Sequence, residues 1–523
     1  MDSWSSSGFN VAVRLSGLVL VVALSGCAKL GPEFTKPASA LSDDWIESNP
    51  QLKRDDEVLQ AWWTIFDDPV LARLIEIARE ENLPLQIAAL RLLEARAELG
   101  IATGELYPQL QQLNAGANYD RSSHNQVDTA EGDLNAWSLN TGLDAVWELD
   151  FWGRFRRGIE SADAELSATV ADYQDALVSL TAEVALAYTA MRTFEERLAI
   201  ARENVAIQKQ SFEIAETQFR NGVATELDLQ QARALLKNTQ ATIPAIDAGI
   251  RESRNALAIL LGAPPGTIEH LVEGPGTIPV PPSEVAVGVP AELLRRRPDI
   301  RRAELSAAAQ SARIGIAITD LYPKFTLTGS IGFATSAGTR TTRSGDSGFD
   351  ELFGLDSLTV FAGPSISWNI FNYGRLKNNV RVQDARFQQR LVYYEQTVLR
   401  AAKEVEDAMD GFSRAQDRAG FLAAGVEAAK RAVDISLIQY RGGVLDYQRV
   451  LDSQGTLLSQ QDQWTRVRGD VTKNLIVMYK ALGGGWRLED GRPVVADPIK
   501  AAMRARTDWG ELLDGRTTKA VAE

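Results

Sequence analysis

Trp147, Gly153-Arg154, Phe219-Arg220-Asn221-Gly222-Val223 and Leu261-Gly262 return as Trp368, Gly374-Arg375, Tyr440-Arg441-Gly442-Gly443-Val444 and Leu482-Gly483, at a constant offset of 221 residues. Tyr107-Pro108 returns as Tyr322-Pro323. A gap-free internal duplication of this length requires each copy to build the same substructure, so the chain must be read as two examples of one plan.

The plan begins with strands. From Trp137 to Leu149 the odd positions are Trp, Leu, Thr, Leu, Ala, Trp and Leu, and the even ones are mostly polar. The same period of two marks Leu113 to Tyr119, Phe325 to Phe333 and Val360 to Ile370. Each copy therefore contributes two strands, about 109–120 and 137–150 in the first and about 324–334 and 357–371 in the second. Their length suits a tilted membrane-spanning strand, with aromatic residues near the ends; alternation alone is equally compatible with a soluble hairpin. Four strands cannot close a barrel, so a membrane reading demands several chains. The connections Asp120 to Ala136 and Ala334 to Ser357 are polar and suit exposed loops.

Helices follow. Apolar residues recur in steps of three and four from Ile159 through Leu198 and continue through Val205, Phe212 and Phe219, with neither proline nor glycine between Ile159 and Gly222. The spacing predicts one helix over 154–221, about 100 Å long at 1.5 Å per residue, packed lengthwise on its neighbours. A return helix is expected over 224–261, and another helical stretch over 69–103. The second copy repeats the parts: a long helix over 376–440, a return over 445–482 and a short helix over 299–319. This divides the chain into an extended N-terminal segment (27–68), a first repeat (69–262), a linker (263–290) with seven prolines and four glycines, a second repeat (291–483) and a loosely structured tail (484–523).

Composition narrows the function. With only His124, His270 and Cys27 available as His or Cys, most metal-ligand sets and any intrachain disulfide are excluded. No phosphate-cradling glycine loop or nucleophile elbow is present, so no enzyme is expected. A net charge of −14 disfavours nucleic acid as a partner. Arg14 followed by the apolar run Leu15 to Leu24 reads as a secretory signal over 1–26, ending in Leu24-Ser25-Gly26-Cys27. That tetrapeptide is a lipobox: Cys27 becomes the first mature residue, carrying S-diacylglycerol and N-acyl lipid. Ala28 favours sorting to the outer membrane. No cofactor is otherwise implied.

The chain resembles the TolC-like outer membrane factor family, and within it the NodT-type lipoproteins of multidrug efflux systems. The resemblance rests on Gly26 to Phe34 (GCAKLGPEF), Trp62-Trp63 with Phe66-Asp67-Asp68-Pro69, and Leu294 to Ile300 (LRRRPDI). Leu-Tyr-Pro at each helix-to-strand junction and Arg-x-Gly-Val at each hairpin tip complete it. It implies a mainly α, mixed α/β membrane protein: a homotrimer with a twelve-stranded transmembrane β-barrel continued by a twelve-helix periplasmic α-barrel. The implied function is passive conduction of drugs or other small molecules to the exterior. Its partners would be a periplasmic adaptor (membrane fusion) protein and an inner-membrane transporter of the resistance-nodulation-division type. By position, Asp452 matches a constriction aspartate that three copies would gather into a ring, with Arg449 where TolC has a further aspartate. Asp228 and Tyr440 match residues of the latch that holds such gates closed. Gly222, Val223, Gly443 and Val444 match the tips that meet the adaptor. The five arginines within Arg295 to Arg302 read as the start of the second repeat rather than as a binding patch. The competing function is a non-conducting coiled-coil lipoprotein, which would have no use for four amphipathic strands.

Overall fold

The computed structural model describes residues 28–37, 52–53, 58–121, 123, 135–273, 276–282, 285–286, 296–338, 352–486 and 494–513. Cys27, the signal over 1–26, His124 and most of the two long strand connections lie outside them.

The chain is mainly helical. In order, its principal elements are α1 (Pro69–Glu81), α2 (Leu83–Gly104), β1 (Leu110–Arg121), β2 (Asn135–Glu148), α3 (Arg154–Arg220), α4 (Glu226–Leu260), α5 (Pro298–Thr319), β3 (Lys324–Gly338), β4 (Leu358–Ser367), α6 (Arg375–Arg441), α7 (Tyr447–Ala481) and α8 (Asp497–Arg506). The duplication is repeated in three dimensions: α3 and α6 are both 67 residues long, and α4 and α7 are both 35.

Local chemistry sets the breaks. The helical stretch expected over 69–103 is two helices, because Asn82 adopts an extended conformation that stops α1. Its backbone N–H still bonds Ala78, while its side-chain oxygen accepts from Leu85 N and so caps α2. Pro84 in the first turn of α2 has no N–H to continue the earlier ladder. The strand expected over 357–371 stops at Ser367, since the last rung of its ladder is Ser367 with Lys324.

The described residues fall into two compact units, one within 28–37, 94–167 and 304–392, the other within 52–93, 168–303 and 393–513. The first holds the sheet, in order β1-β2-β3-β4 and antiparallel throughout. The second holds the main core, to which matching positions of both repeats contribute: Val184 with Val405, Tyr188 with Met409, and Met191 with Phe412, all buried.

Two expected segments differ from their reading. Within 27–68, residues 28–37 are extended, but Val58–Phe66 is a 3-10 helix that buries Trp62, Trp63 and Phe66. Trp62 stacks on Tyr479 at 5.6 Å with planes 7° apart, and that burial outweighs the polar character of the flanking sequence. Asp68 then caps α1 through Val70 N and Leu71 N and accepts the hydroxyl of Tyr188. Within the tail 484–523, α8 and the turn Gly510–Leu513 are ordered because Met503 and Leu513 enter the same core. Among the described residues no helix is long and apolar enough to cross a membrane.

Candidate channel wall and gate

The sheet has two chemically distinct faces. Register places Leu113, Leu143, Ile331 and Val360 in one row across all four strands. They are 74, 56, 53 and 65% exposed, although each is a large apolar side chain. Further along that face lie Tyr119 with Trp137, and Trp147 with Leu327 and Pro364. On the opposite face the rows read Gln112-Asp144-Ser330-Phe361 and Asn114-Gly142-Gly332-Thr359. Asn114 donates to Asp144 there. A contiguous apolar face of this kind is costly in water and suits lipid, whereas the polar face suits an aqueous lumen. Strands β1 and β4 end the sheet, each with one unpaired edge.

The helix-to-strand junctions repeat. Trp147 Nε1 donates to Leu106 O at 3.2 Å, and its duplicate Trp368 Nε1 donates to Leu321 O at 2.9 Å. These indoles tie the end of each Leu-Tyr-Pro helix to the segment at the neighbouring strand's end.

Residues 28–37 form a strap in the same unit. Arg157 has no exposed surface; Nε donates to Leu30 O, Nη2 to Gly31 O and Glu33, and Nη1 to Glu160. Leu30 N donates to Trp152 O. Sequence reasoning missed this clamp, since one arginine early in a long helix carries no signal of its partners. The Glu33 carboxyl lies below its usual range; burial opposes the shift, and Arg157 and Lys29 outweigh it.

The two hairpin tips share one backbone design. In the first, Asn221 N, Gly222 N and Val223 N donate to Thr217 O, Phe219 O and Gln218 O; in the second, Gly442 N, Gly443 N and Val444 N donate to Ile438 O, Tyr440 O and Gln439 O. Gly222 and Gly443 have φ of 74° and 72°, the left-handed region that glycine adopts without strain. Val223 and Val444 project from the turns, 74 and 77% exposed.

After the turns the copies diverge. Thr225 and Asp228 form a reciprocal capping box on α4: Thr225 Oγ1 accepts from Asp228 N, and the Asp228 carboxylate accepts from Thr225 N at 3.0 Å. This cap went unread in the sequence, although its Thr-x-x-Asp spacing could have announced it. The matching cap of α7, Asp446, makes no side-chain cap bond, and Arg449 stands where Asp228 does. Asp228 is thus held by its own helix and makes no hydrogen bond to Tyr440 within the chain. It is close enough to act electrostatically: the Tyr440 hydroxyl is pushed up to about 12, first by burial and then by Asp228. Tyr440 packs on Tyr447 at 5.0 Å in a small cluster with Ala215, Ala232 and Val450, and its hydroxyl is buried without a hydrogen-bond partner among the described residues. Asp452 is exposed, and its carboxylate accepts from Gln448 Nε2 at 2.9 Å rather than from Arg449.

A polar seam joins α3 to α7 above the tips. Asn204 donates to Gln461 at 2.7 Å and Gln454 to Ser211 at 2.5 Å, all four side chains being buried. Gln208, between them, is buried with neither amide atom paired among the described residues. Among the described residues no group of three or more His, Cys, Asp or Glu is placed to hold a metal ion.

A two-faced open sheet and two long helical hairpins in one chain define a channel-building subunit of the outer membrane. The chain belongs to the outer membrane efflux protein family, which it matches over residues 74–263 and 289–484. It is 30% identical over 470 residues to Nodulation protein T of Rhizobium leguminosarum bv. trifolii, covering 88% of this chain and 95% of that one. It is 31% identical to the pyoverdine export outer membrane protein OpmQ of Pseudomonas putida, covering 82% and 89%. Among solved structures, the outer-membrane channel OprN superposes with a TM-score of 0.81 at 34% identity, covering 88% of this chain and all of that one. The chain is an outer membrane efflux channel component, and its family is one of channels rather than enzymes.

Proposed function

We propose that three copies of this chain form a twelve-stranded barrel in the outer membrane, continued by a twelve-helix duct in the periplasm. The observation that carries this reading is the sheet, whose apolar face needs lipid and whose two open edges need partners. The duct passively conducts drugs or other small molecules delivered by an inner-membrane transporter, of the resistance-nodulation-division type, through a periplasmic adaptor. Lipid on Cys27 anchors the chain, and the strap over 28–33, held by Arg157 near the base of the strands, supports that placement. The exposed tips Gly222-Val223 and Gly443-Val444 meet the adaptor. Asp452 from three chains forms the constriction, where like charges favour cations. Asp228 stiffens the first tip against the cluster around Tyr440, while Arg449, free of Asp452 within the chain, is available to a neighbouring chain's tip.

The test is purification in mild detergent and reconstitution into planar bilayers. A trimer that dissociates only on heating and conducts ions is expected; a monomer without conductance would sink the reading.

A further inference from the structure

The duplication extends to the place where each return helix ends. After α4, Leu261 N, Gly262 N and Ala263 N donate to Leu257 O, Ile259 O and Ala258 O; after α7, Leu482 N, Gly483 N and Gly484 N donate to Met478 O, Lys480 O and Tyr479 O. The offset that joins Tyr107 to Tyr322 also joins Asn82 to Arg297, each the residue before a short helix. Their side chains do the same work. Asn82 Nδ2 donates to Leu260 O at 2.9 Å, and Arg297 Nη1 donates to Ala481 O at 2.5 Å. Their carbonyls begin the ladders of α2 and α5 by accepting from Gln86 N and Arg301 N. Each side chain therefore splices the end of a return helix to the start of a short one.

The two splices differ in charge. Asn82 is neutral, and so are Pro84 and Ile259, whose counterparts at the second splice are Asp299 and Lys480. Arg297 is buried; its Nε donates to Asp299 at 3.0 Å and its Nη2 to Asp299 and Glu404, both at 2.8 Å. Of this second set only Glu404 has a charged counterpart, the exposed Glu183. One guanidinium thus joins the last turn of α7, the first turn of α5 and the flank of α6. Beside it lies a cavity of ≈140 Å³ that Asp175 of α3 and Lys480 also line. Breaking a buried ion pair leaves an uncompensated charge, so such a joint is sensitive to the charge of its neighbours in a way that an amide is not.

We infer that Arg297 is the positioning residue of an electrostatic clamp at the root of the second hairpin, holding α6 and α7 to α5 with a strength set by the charge in the adjoining cavity, whereas the bridging side chain of the first splice is neutral. The groups facing Asp175 are Arg297, Asp299 and Arg302 at the start of α5, Glu404 on α6, Lys480 on α7, and Asp172 on its own helix, which pairs with Arg302. Burial, with the Asp299 carboxylate adding to it, pushes the Asp175 carboxyl up to about 6. Between about pH 4 and 6 the closed splice keeps a proton that an open, hydrated one releases, so closure weakens as pH rises. The clamp rests on the channel reading only for its consequence: α6 and α7 carry Tyr440 and Asp452, so acid holds the constriction-bearing hairpin more firmly at its root.

Hydrogen exchange read by mass spectrometry on the full-length protein in detergent tests the clamp, with the first splice as internal control. After correction for intrinsic rates, protection of residues 482–484 is expected to fall about tenfold between about pH 5 and 7.5, and that of 261–263 to stay constant. Equal pH profiles at the two splices overturn the clamp. Asp175→Asn is expected to abolish the fall and keep the protection seen in acid; a fall that persists belongs to another group and overturns the proposal. Arg297→Asn, which copies the first splice, is expected to lower protection of 482–484 several-fold and leave 261–263 unchanged. Loss at both, the mark of general destabilisation, or at neither, counts against Arg297; should that variant fail to accumulate, the parent profile and Asp175→Asn decide. Conductance is a separate readout: a conducting protein with equal profiles loses the clamp alone, and a non-conducting one with unequal profiles keeps the clamp and loses the channel.

Discussion

Gly31 and Gly315 meet backbone to backbone: a Cβ built on Gly31 would fall 2.5 Å from the Cα of Gly315, and one built on Gly315 would fall 2.7 Å from Leu30 O. Gly31 also has φ of 99°. The strap passes over α5 only because both residues lack a side chain. Gly315→Val is therefore expected to unseat residues 28–37 without touching the sheet. Arg157→Ala should do the same, since it leaves the carbonyls of Leu30 and Gly31 unpaired, at about 1–3 kcal/mol for each group that stays buried. Limited proteolysis of the strap in detergent reads both; protection equal to that of the parent protein would refute the clamp.

Asp228→Ala removes the capping box of α4, worth about 0.5–2 kcal/mol, and frees the first turn beside the exposed Val223. Single-channel conductance is expected to rise as the tip loosens. Unchanged conductance and drug permeation would remove Asp228 from the gate. Thr225→Ala should act in the same direction, because it deletes the other half of the box.

Asp452→Asn is expected to lower the preference of the channel for cations, measured as the reversal potential under a salt gradient. An unaltered reversal potential would leave Asp452 as an exposed helix-face residue bonded to Gln448.

Tyr440 carries a buried hydroxyl with no hydrogen-bond partner among the described residues. Tyr440→Phe is expected to raise the thermal stability of the helical tips by about 1 kcal/mol, because a desolvated unpaired group is removed. A loss of stability would show instead that the hydroxyl is bonded across chains in the assembled gate.

Asp175, which lines a cavity of ≈140 Å³ with Arg297, Asp299, Glu404 and Lys480, has its pKa raised from 3.8 to about 6. Burial is the main cause and the Asp299 carboxylate adds to it, against Arg302 and Arg297. Below about pH 4 both the folded and unfolded forms are protonated and the group contributes nothing. Between about pH 4 and 6 the folded state keeps a proton that the unfolded chain has lost, so stability falls as pH rises, by up to about 3 kcal/mol above pH 6. Asp175→Asn is expected to raise thermal stability at pH 7.5 and to leave it unchanged near pH 4. Equal gains at both would refute the linkage.

The repeated plan was legible in residue order alone, because a constant offset, a period of two and a period near 3.6 are properties of single segments. The alternation from Trp137 to Trp147 marks which residues share a face, and Gly222 and Gly443 mark where the long helices stop, without reference to any neighbour. The cap of Thr225 and Asp228 went unread, although its Thr-x-x-Asp spacing is equally local. Contacts between residues distant in sequence became visible only in the fold. Arg157 holds a strap more than a hundred residues away, Trp62 turns an apparently extended segment into a buried 3-10 helix by stacking on Tyr479, and the polar seam of Asn204, Gln208, Ser211, Gln454 and Gln461 exists only where α3 and α7 lie side by side. The fold also placed Asp452 on Gln448 rather than Arg449, a choice between neighbours one helical turn away that rotamers and packing make and residue order does not. Periodicity states which side of an element is apolar; only the fold states what that side meets.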